Sequence, residues 1–229
     1  MGQSAIAATH SGLDELRHEQ DEIARLLVDT EAVNLATERK FRFGSGLPSP
    51  IYIDNRRLLS LLVPRKKVCE ALYRRATRDL PELNVNVVVA VPTGGLPWAA
   101  WLADDMDVPL AYVRQERKDR GLGKQIEGVL PRDASALVVD DLITTGQSSQ
   151  VAIDALRAAG AEIPAVASIF SYGVPWAARH FGSQGIRHVA VTDLDAILRV
   201  GEERFAAAQC AAVRAWREEV LLSYEPAAR

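Results

Sequence analysis

An α/β fold built on a central parallel sheet is the class that this sequence predicts, on three observations. Short runs rich in β-branched residues recur at 85–91 (VNVVVAV), 109–113 (PLAYV), 135–140 (SALVVD), 165–170 (AVASIF) and 187–192 (RHVAVT), and helical patterns separate several of them. The runs are nearly continuously apolar, as strands are when helices cover both faces of a sheet. Polar stretches follow three of them: PTGG after 91, RQERKDRG after 113 and DDLITTGQSS after 139. In open α/β sheets ligands sit at these carboxyl ends of the strands.

Taken in order, the elements begin with an amphipathic helix, in which Leu13, Leu16, Ile23, Leu26 and Leu27 recur at spacings of three and four. Residues 40–54 (KFRFGSGLPSPIYID) have β-rich ends around a Gly-Leu-Pro-Ser-Pro turn and read as a hairpin. Pro64 suits the first turn of a helix running to about Asp79, with Val68, Cys69, Leu72 and Ala76 on one face. Residues 202–222 read as a long C-terminal helix with an Ala-rich face. The ends, up to about Ser11 and from Pro226, read as loose tails. The whole of 1–229 is expected to form one unit. Its parts are an N-terminal helix and hairpin over about 11–60, a core over about 64–200, and the C-terminal helix.

A net charge of −3 argues against a dedicated nucleic-acid-binding surface, and 48% hydrophobic residues argue against disorder. Cys69 and Cys210 have no CxxC spacing, so neither a disulfide scaffold nor a zinc site is supported. No stretch approaches the roughly 18 apolar residues of a membrane span. The N-terminus lacks the pattern of an export signal, and Ile6 stands where a myristoylation motif needs Ser or Thr. A cytoplasmic chain that uses neither nucleic acid nor a membrane is the expectation.

The stretch DDLITTGQSS carries the most chemistry. A strand end followed by Thr144, Thr145, Gly146, Gln147 and Ser148 and then a helix offers free backbone N–H groups, hydroxyls and a positive helix end, which together bind a phosphate. Asp140 and Asp141 would repel that phosphate unless sugar hydroxyls or a magnesium ion lay between. A phosphorylated sugar satisfies both halves. The competing reading is a solvated strand end with a threonine helix cap.

Residues 112–128 (YVRQERKDRGLGKQIEG) concentrate Arg114, Arg117, Lys118, Arg120 and Lys124 among glycines. Alone, such a run reads as a solvated surface; at a neighbouring strand end it can be a cationic lid closing over a polyanion. VPTGGLP (91–97) is either a turn that lets backbone approach a ligand or a plain strand-to-helix turn. No GxxxxGK[ST] or GxGxxG spacing is present. The histidines His10, His18, His180 and His188 form no metal pattern, and Trp98, Trp101 and Trp176 read as core. Asp140 and Asp141 are adjacent on a strand, so they are expected on opposite faces rather than as a facing catalytic pair.

VVDDLITTGQS resembles the phosphoribosyl pyrophosphate motif of type I phosphoribosyltransferases. Three further stretches, 41–60 (FRFGSGLPSPIYIDNRRLLS), 92–114 and 118–128 (KDRGLGKQIEG), are similar to the orotate phosphoribosyltransferase branch, in order from about Ala32 to Tyr172. The resemblance implies a type I phosphoribosyltransferase fold with a small N-terminal hood over the sheet. It also implies magnesium-dependent transfer of ribose 5-phosphate to orotate, giving orotidine 5′-monophosphate and pyrophosphate in pyrimidine synthesis. Asp140 and Asp141 would hold the ribose hydroxyls, and the loop from Leu142 and Ile143 through Thr144, Thr145, Gly146, Gln147 and Ser148 the 5-phosphate. Thr93, Gly94, Arg114, Lys118 and Arg120 would meet the pyrophosphate. Thr144, Tyr52, Ile53 and Arg56 would contact orotate. The lid, 114–125, would reach into the partner's site of a homodimer.

The chain departs from the pattern of some members. Gln115 replaces a lysine, Arg120 a histidine, and Gly94 a lysine of the pyrophosphate loop; Thr37 stands where many members carry a lysine before the hairpin. Tyr172 occupies the place of a base-contacting arginine. Arg56, Lys40 and the hairpin backbone are the candidates for the orotate carboxylate. A phosphoribosyltransferase for a purine, or a non-catalytic sensor of phosphoribosyl pyrophosphate, would share the donor motif. The intact lid lysine favours an enzyme, and the acidic pI disfavours a DNA-binding regulator.

Overall fold

The computed structural model describes residues 2–44, 46–115 and 125–226, with backbone alone for 2–11. Its centre is a sheet of six strands: β5 (Val87–Ala90), β6 (Leu110–Val113), β7 (Ile126–Glu127), β8 (Ser135–Ile143), β9 (Glu162–Ser171) and β10 (Arg187–Asp193). The order across the sheet is β10-β9-β8-β5-β6-β7, parallel throughout except that β7 runs antiparallel on β6. All four residues of β5 are completely buried, which explains why that run is apolar without alternation.

Two strands exceed their sequence-based bounds. β8 continues through both aspartates to Ile143, so the acidic pair lies inside the ladder rather than after it. β9 begins ahead of Pro164, and the register with β8 slips between Ser135↔Glu162 and Leu137↔Ala165. The slip absorbs a proline that cannot donate to the ladder.

Helices α1 (Gly2–Asp29), α2 (Leu62–Arg78), α3 (Gly95–Asp105), α4 (Gln147–Ala158), α5 (Pro175–Ser183), α6 (Leu194–Gly201) and α7 (Ala207–Trp216) surround the sheet. α3 sits directly on β8: a Cβ on Gly95 would lie 2.6 Å from the Val139 carbonyl oxygen. α1 packs against α6 and β10. Arg199 pairs with Asp21 at 2.6 Å, and the Thr192 hydroxyl donates to the Gln20 carbonyl at 2.8 Å. The helix runs back to Gly2 where a tail was expected, with Ala5, Ala7 and Ala8 as strong helix formers.

The expected C-terminal helix over 202–222 is divided. α6 precedes it, a turn over 202–205 reverses the chain, α7 follows, and Arg217–Leu221 forms one wider turn. The break falls where the Phe205 ring lies against Gly201, at 2.9 Å from the position a Cβ would take there. The expected hairpin over 40–54 resolves into two ladders: β2 (Phe41–Arg42) pairs β3 (Pro48–Ser49), while β4 (Ile51–Ile53) pairs β1 (Val33–Leu35). These four short strands stand over the carboxyl edge of the main sheet. α7 supports them, with Trp216 Nε1 donating to the Pro48 carbonyl at 2.9 Å and Gln209 to the Leu35 carbonyl at 2.8 Å. Among the described residues, no helix is long and apolar enough to cross a membrane.

Candidate active site

A cavity of about 850 Å³ opens at the carboxyl ends of β5 and β8, between the main sheet and the hairpin ladders. One wall is the β8–α4 connection, Asp140 to Ser148, every residue of which lines it. Gly146 makes the turn at φ 77° in the left-handed region, and a Cβ there would lie 2.7 Å from the Phe181 ring. Glycine is therefore required twice, by backbone and by space. α4 starts at the next residue, so its first-turn N–H groups, which have no partner within the helix, face the cavity. Thr144 is half-exposed there, Thr145 is buried, and Ile143 has its side chain packed in the core and lines the cavity as part of the backbone wall.

Asp140 is 5% exposed. The Ser149 hydroxyl donates to one of its oxygens at 2.9 Å, and the Asp141 N–H to the other at 2.9 Å. Burial, then the neighbouring Asp141 charge, pushes the Asp140 carboxyl well above the ordinary carboxylate range. Burial raises Asp141 as well, with the Arg56 charge pulling the other way. Both carboxyls line one cavity and act on each other, contrary to the expectation that strand alternation would separate them. β8 runs on through Leu142 to Ile143, and both side chains still reach the cavity.

Thr93 and Gly94 line the floor. A methyl at Gly94 would overlap the Asp141 carboxylate, and Gly95 abuts Val139. The close approach permitted by this glycine pair is thus to β8 itself, while the turn still faces the cavity. The Pro92–Thr93 peptide is cis.

The opposite wall comes from the hairpin ladders. Tyr52, Ile53 and Arg56 line it, as does Arg42 with Phe43 and Gly44. Arg56 is held by Asp54, Nε to Oδ1 at 2.6 Å, and donates to the Tyr52 hydroxyl at 3.2 Å. Lys40 does not line this cavity; it lines a separate cleft of about 460 Å³ behind β1, which removes it from the carboxylate candidates. Its neighbour Phe41 faces that cleft too, and the chain between them and Arg42 crosses from one side of the ladder to the other.

Arg114 does not line the cavity of its own chain. Its guanidinium pairs with Glu127 across β6 and β7, its N–H donates to the Gln125 carbonyl at 3.0 Å, and Gln125 Nε2 returns a bond to the Arg114 carbonyl at 3.0 Å. These bonds close the base of the loop at the edge of the sheet. Lys118 and Arg120, with Arg117 and Lys124, lie outside the described residues. Gln115 reaches the cavity, its amide 3.5 Å from the Ser148 carbonyl.

Asn55 had no signal in the sequence. Fully buried, it donates from Nδ2 to the Asp141 carbonyl at 2.7 Å and so ties the hairpin wall to the acidic strand end, while its Oδ1 has no partner. Tyr172 is packed between Phe43, with centroids 4.7 Å apart, and Phe170 at 5.0 Å. Its ring lies behind the cavity wall with the hydroxyl buried, and burial raises its pKa. Trp216 stands behind Phe43 at 5.9 Å. Only the folded chain brings 43, 172 and 216 together. Of the tryptophans read as core, Trp98 is fully buried, whereas Trp101 and Trp176 are partly exposed, the first beneath Arg65 at 4.8 Å and the second stacked on His180.

A phosphate-shaped loop, a buried acidic pair at a strand end and a glycine turn on the neighbouring strand define a phosphoribosyl transferase site. The phosphoribosyl transferase domain model matches residues 63–180, which is half of the chain. The chain belongs to this family and, within it, to the orotate phosphoribosyltransferases. It is 36% identical over 181 residues to orotate phosphoribosyltransferase of Listeria monocytogenes, covering 79% of this chain and 86% of that protein. The crystal structure of orotate phosphoribosyltransferase from Aeropyrum pernix is 34% identical, with a TM-score of 0.65 over 77% of this chain and 97% of that one. Leishmania donovani UMP synthase superposes with a TM-score of 0.75 at 28% identity over 88% of this chain, which spans 42% of that longer protein.

Proposed function

We propose that the cavity transfers ribose 5-phosphate from phosphoribosyl pyrophosphate to orotate, yielding orotidine 5′-monophosphate for pyrimidine synthesis. The observation that carries this reading is the β8–α4 wall, where an N–H-rich loop adjoins a desolvated carboxylate pair. The loop 144–148 takes the 5-phosphate, and Asp140 and Asp141 take the ribose hydroxyls. As the bond to pyrophosphate lengthens, positive charge grows on the ribose, and two carboxylates beneath it stabilise that charge. Orotate arrives as an anion, so little nucleophile activation is needed. Thr144, Tyr52 and Ile53 bracket its ring. Arg56, held by Asp54, positions the wall.

Magnesium fits the site through its donor set. Two carboxyls whose pKa values are pushed up by burial, with the Asp141 charge adding to the rise at Asp140, are relieved by a divalent cation. No group of three or more acidic, histidine or cysteine ligands gathers among the described residues, this cavity included, so the protein's share would be the two carboxyls alone. Asp140 and Asp141 would hold the ion partly through water and substrate oxygens, and it would supply charge neutralisation to the pyrophosphate.

Arg114 pairs with Glu127 rather than lining the described cavity, and Lys118 and Arg120, the other cations for the pyrophosphate, lie outside the described residues. In this reading the protein is a homodimer in which the loop 114–125 of one subunit, with Lys118 and Arg120, closes over the partner's site. The test is turnover. Purified protein with magnesium and phosphoribosyl pyrophosphate is expected to consume orotate, followed by loss of its near-ultraviolet absorbance. Turnover with a purine instead would overturn the acceptor assignment. Lys118→Ala is expected to lower turnover on the order of a hundredfold with a much smaller effect on donor binding; equal effects on both would reduce the lid to a binding surface.

A further inference from the structure

The charges that line the cavity are unevenly spent. Among its described lining residues the cations are Arg42 and Arg56, against Asp54, Asp140 and Asp141. Arg56 is neutralised by Asp54 at 2.6 Å and shares a further N–H with the Tyr52 hydroxyl. Arg42 has no carboxylate partner among the described residues. Its Nη1 donates to the Gly46 carbonyl at 2.7 Å, which fixes the side chain on the hairpin and leaves the rest of the guanidinium to the cavity. Next to it Gly44 opens the wall, since a Cβ there would meet nothing within 4 Å. Phe43, between these two residues, packs on the Tyr172 ring with centroids 4.7 Å apart.

We infer that Arg42 is the specificity-determining cation of the acceptor end, binding the carboxylate of an anionic pyrimidine. The inference rests on the transfer reading above and names the residue that selects the acceptor. It follows from position: the phosphate loop and acidic pair occupy the β8–α4 wall, and among the described lining residues Arg42, on the facing hairpin wall, is the cation without a carboxylate partner. The guanidinium presents a planar fork that matches a carboxylate.

The experiment compares orotate with uracil, which is the same ring without the carboxylate. Arg42→Gln is expected to raise the KM for orotate roughly ten- to a hundredfold, the usual worth of a hydrogen bond to a charged group. The KM for phosphoribosyl pyrophosphate and the inhibition constant of uracil stay unchanged, and Arg42→Lys recovers part of the loss. An Arg42→Gln protein with wild-type orotate KM, or one that loses orotate and uracil equally, overturns the assignment of Arg42. Wild-type protein that neither binds nor consumes orotate overturns the transfer reading and this inference together, and it does so before any variant is made.

Discussion

The two walls of the cavity are built in opposite ways. The β8–α4 wall is one continuous stretch, 140–148, whose backbone, hydroxyls and carboxylates all come from a single strand end and helix start. The facing wall is assembled from segments far apart in the chain: 42–44, 52–56, 172 and, behind them, 216. In the proposed reading, a ligand element common to many reactions, a phosphate, is met by local backbone geometry, and the element that differs between acceptors by side chains that only tertiary packing brings together. The first kind of wall leaves its pattern in the sequence, and the second can change residue by residue without disturbing the fold.

The largest effect that would test this contrast is expected at Gly146. Gly146→Ala forces a side chain into left-handed backbone and against the Phe181 ring, at a cost of about 2 kcal/mol or more. Donor binding should fail while the hairpin wall survives, visible as a lowered melting temperature and lost protection by phosphoribosyl pyrophosphate. If donor binding persisted unchanged, the idea that this wall works through its backbone would be wrong.

Asp140→Asn comes next, with turnover down on the order of a hundredfold. Its stability should move the other way. Asp140 has a raised folded-state pKa, so the stability linked to its protonated form is present at low pH and is lost as pH rises through that pKa. The variant should therefore gain melting temperature over the wild type at pH 7–8 and little near pH 4. A variant that melts lower at both values would sink the claim that the carboxylate is held at a cost.

A smaller effect is expected on the assembled wall. Trp216→Phe keeps a ring against Phe43 but loses the Nε1 bond to Pro48, worth about 1 kcal/mol. The KM for the acceptor should rise a few-fold with donor KM unchanged; a matching change in both would show that the walls are not separable. The smallest concerns His188, which lies outside the cavity near the Phe181 ring and Arg75. Burial, then the Arg75 charge, pushes it down to about 4. A depressed histidine contributes stability that is present above its ordinary pKa and is lost as pH falls towards 4. His188→Gln should flatten the acid limb of a melting-temperature profile and leave both KM values alone.

Much of the fold was legible because each strand of the parallel core is apolar throughout and each chemically equipped loop follows one. The acidic pair and phosphate loop were legible for the same reason, since neighbours in sequence are neighbours in the site. What stayed hidden was non-local. The sequence offered Arg56 and Lys40 for a carboxylate and passed over Arg42; the hairpin split into two ladders, with Arg42 on the cavity side and Lys40 on the cleft behind β1. Asn55 bonds to a carbonyl 86 residues away. Arg114 carries the right charge, yet it is paired with Glu127 because the loop base folds into an antiparallel edge.

The bond from Trp216 to Pro48 also bears on where this catalytic unit ends. The family match stops at residue 180, yet Gln209 and Trp216 brace the short strands that wall the cavity. A domain excised at the end of that match would keep the β8–α4 loop and lose the brace for the facing wall. For this chain, the portable module extends through the last helix.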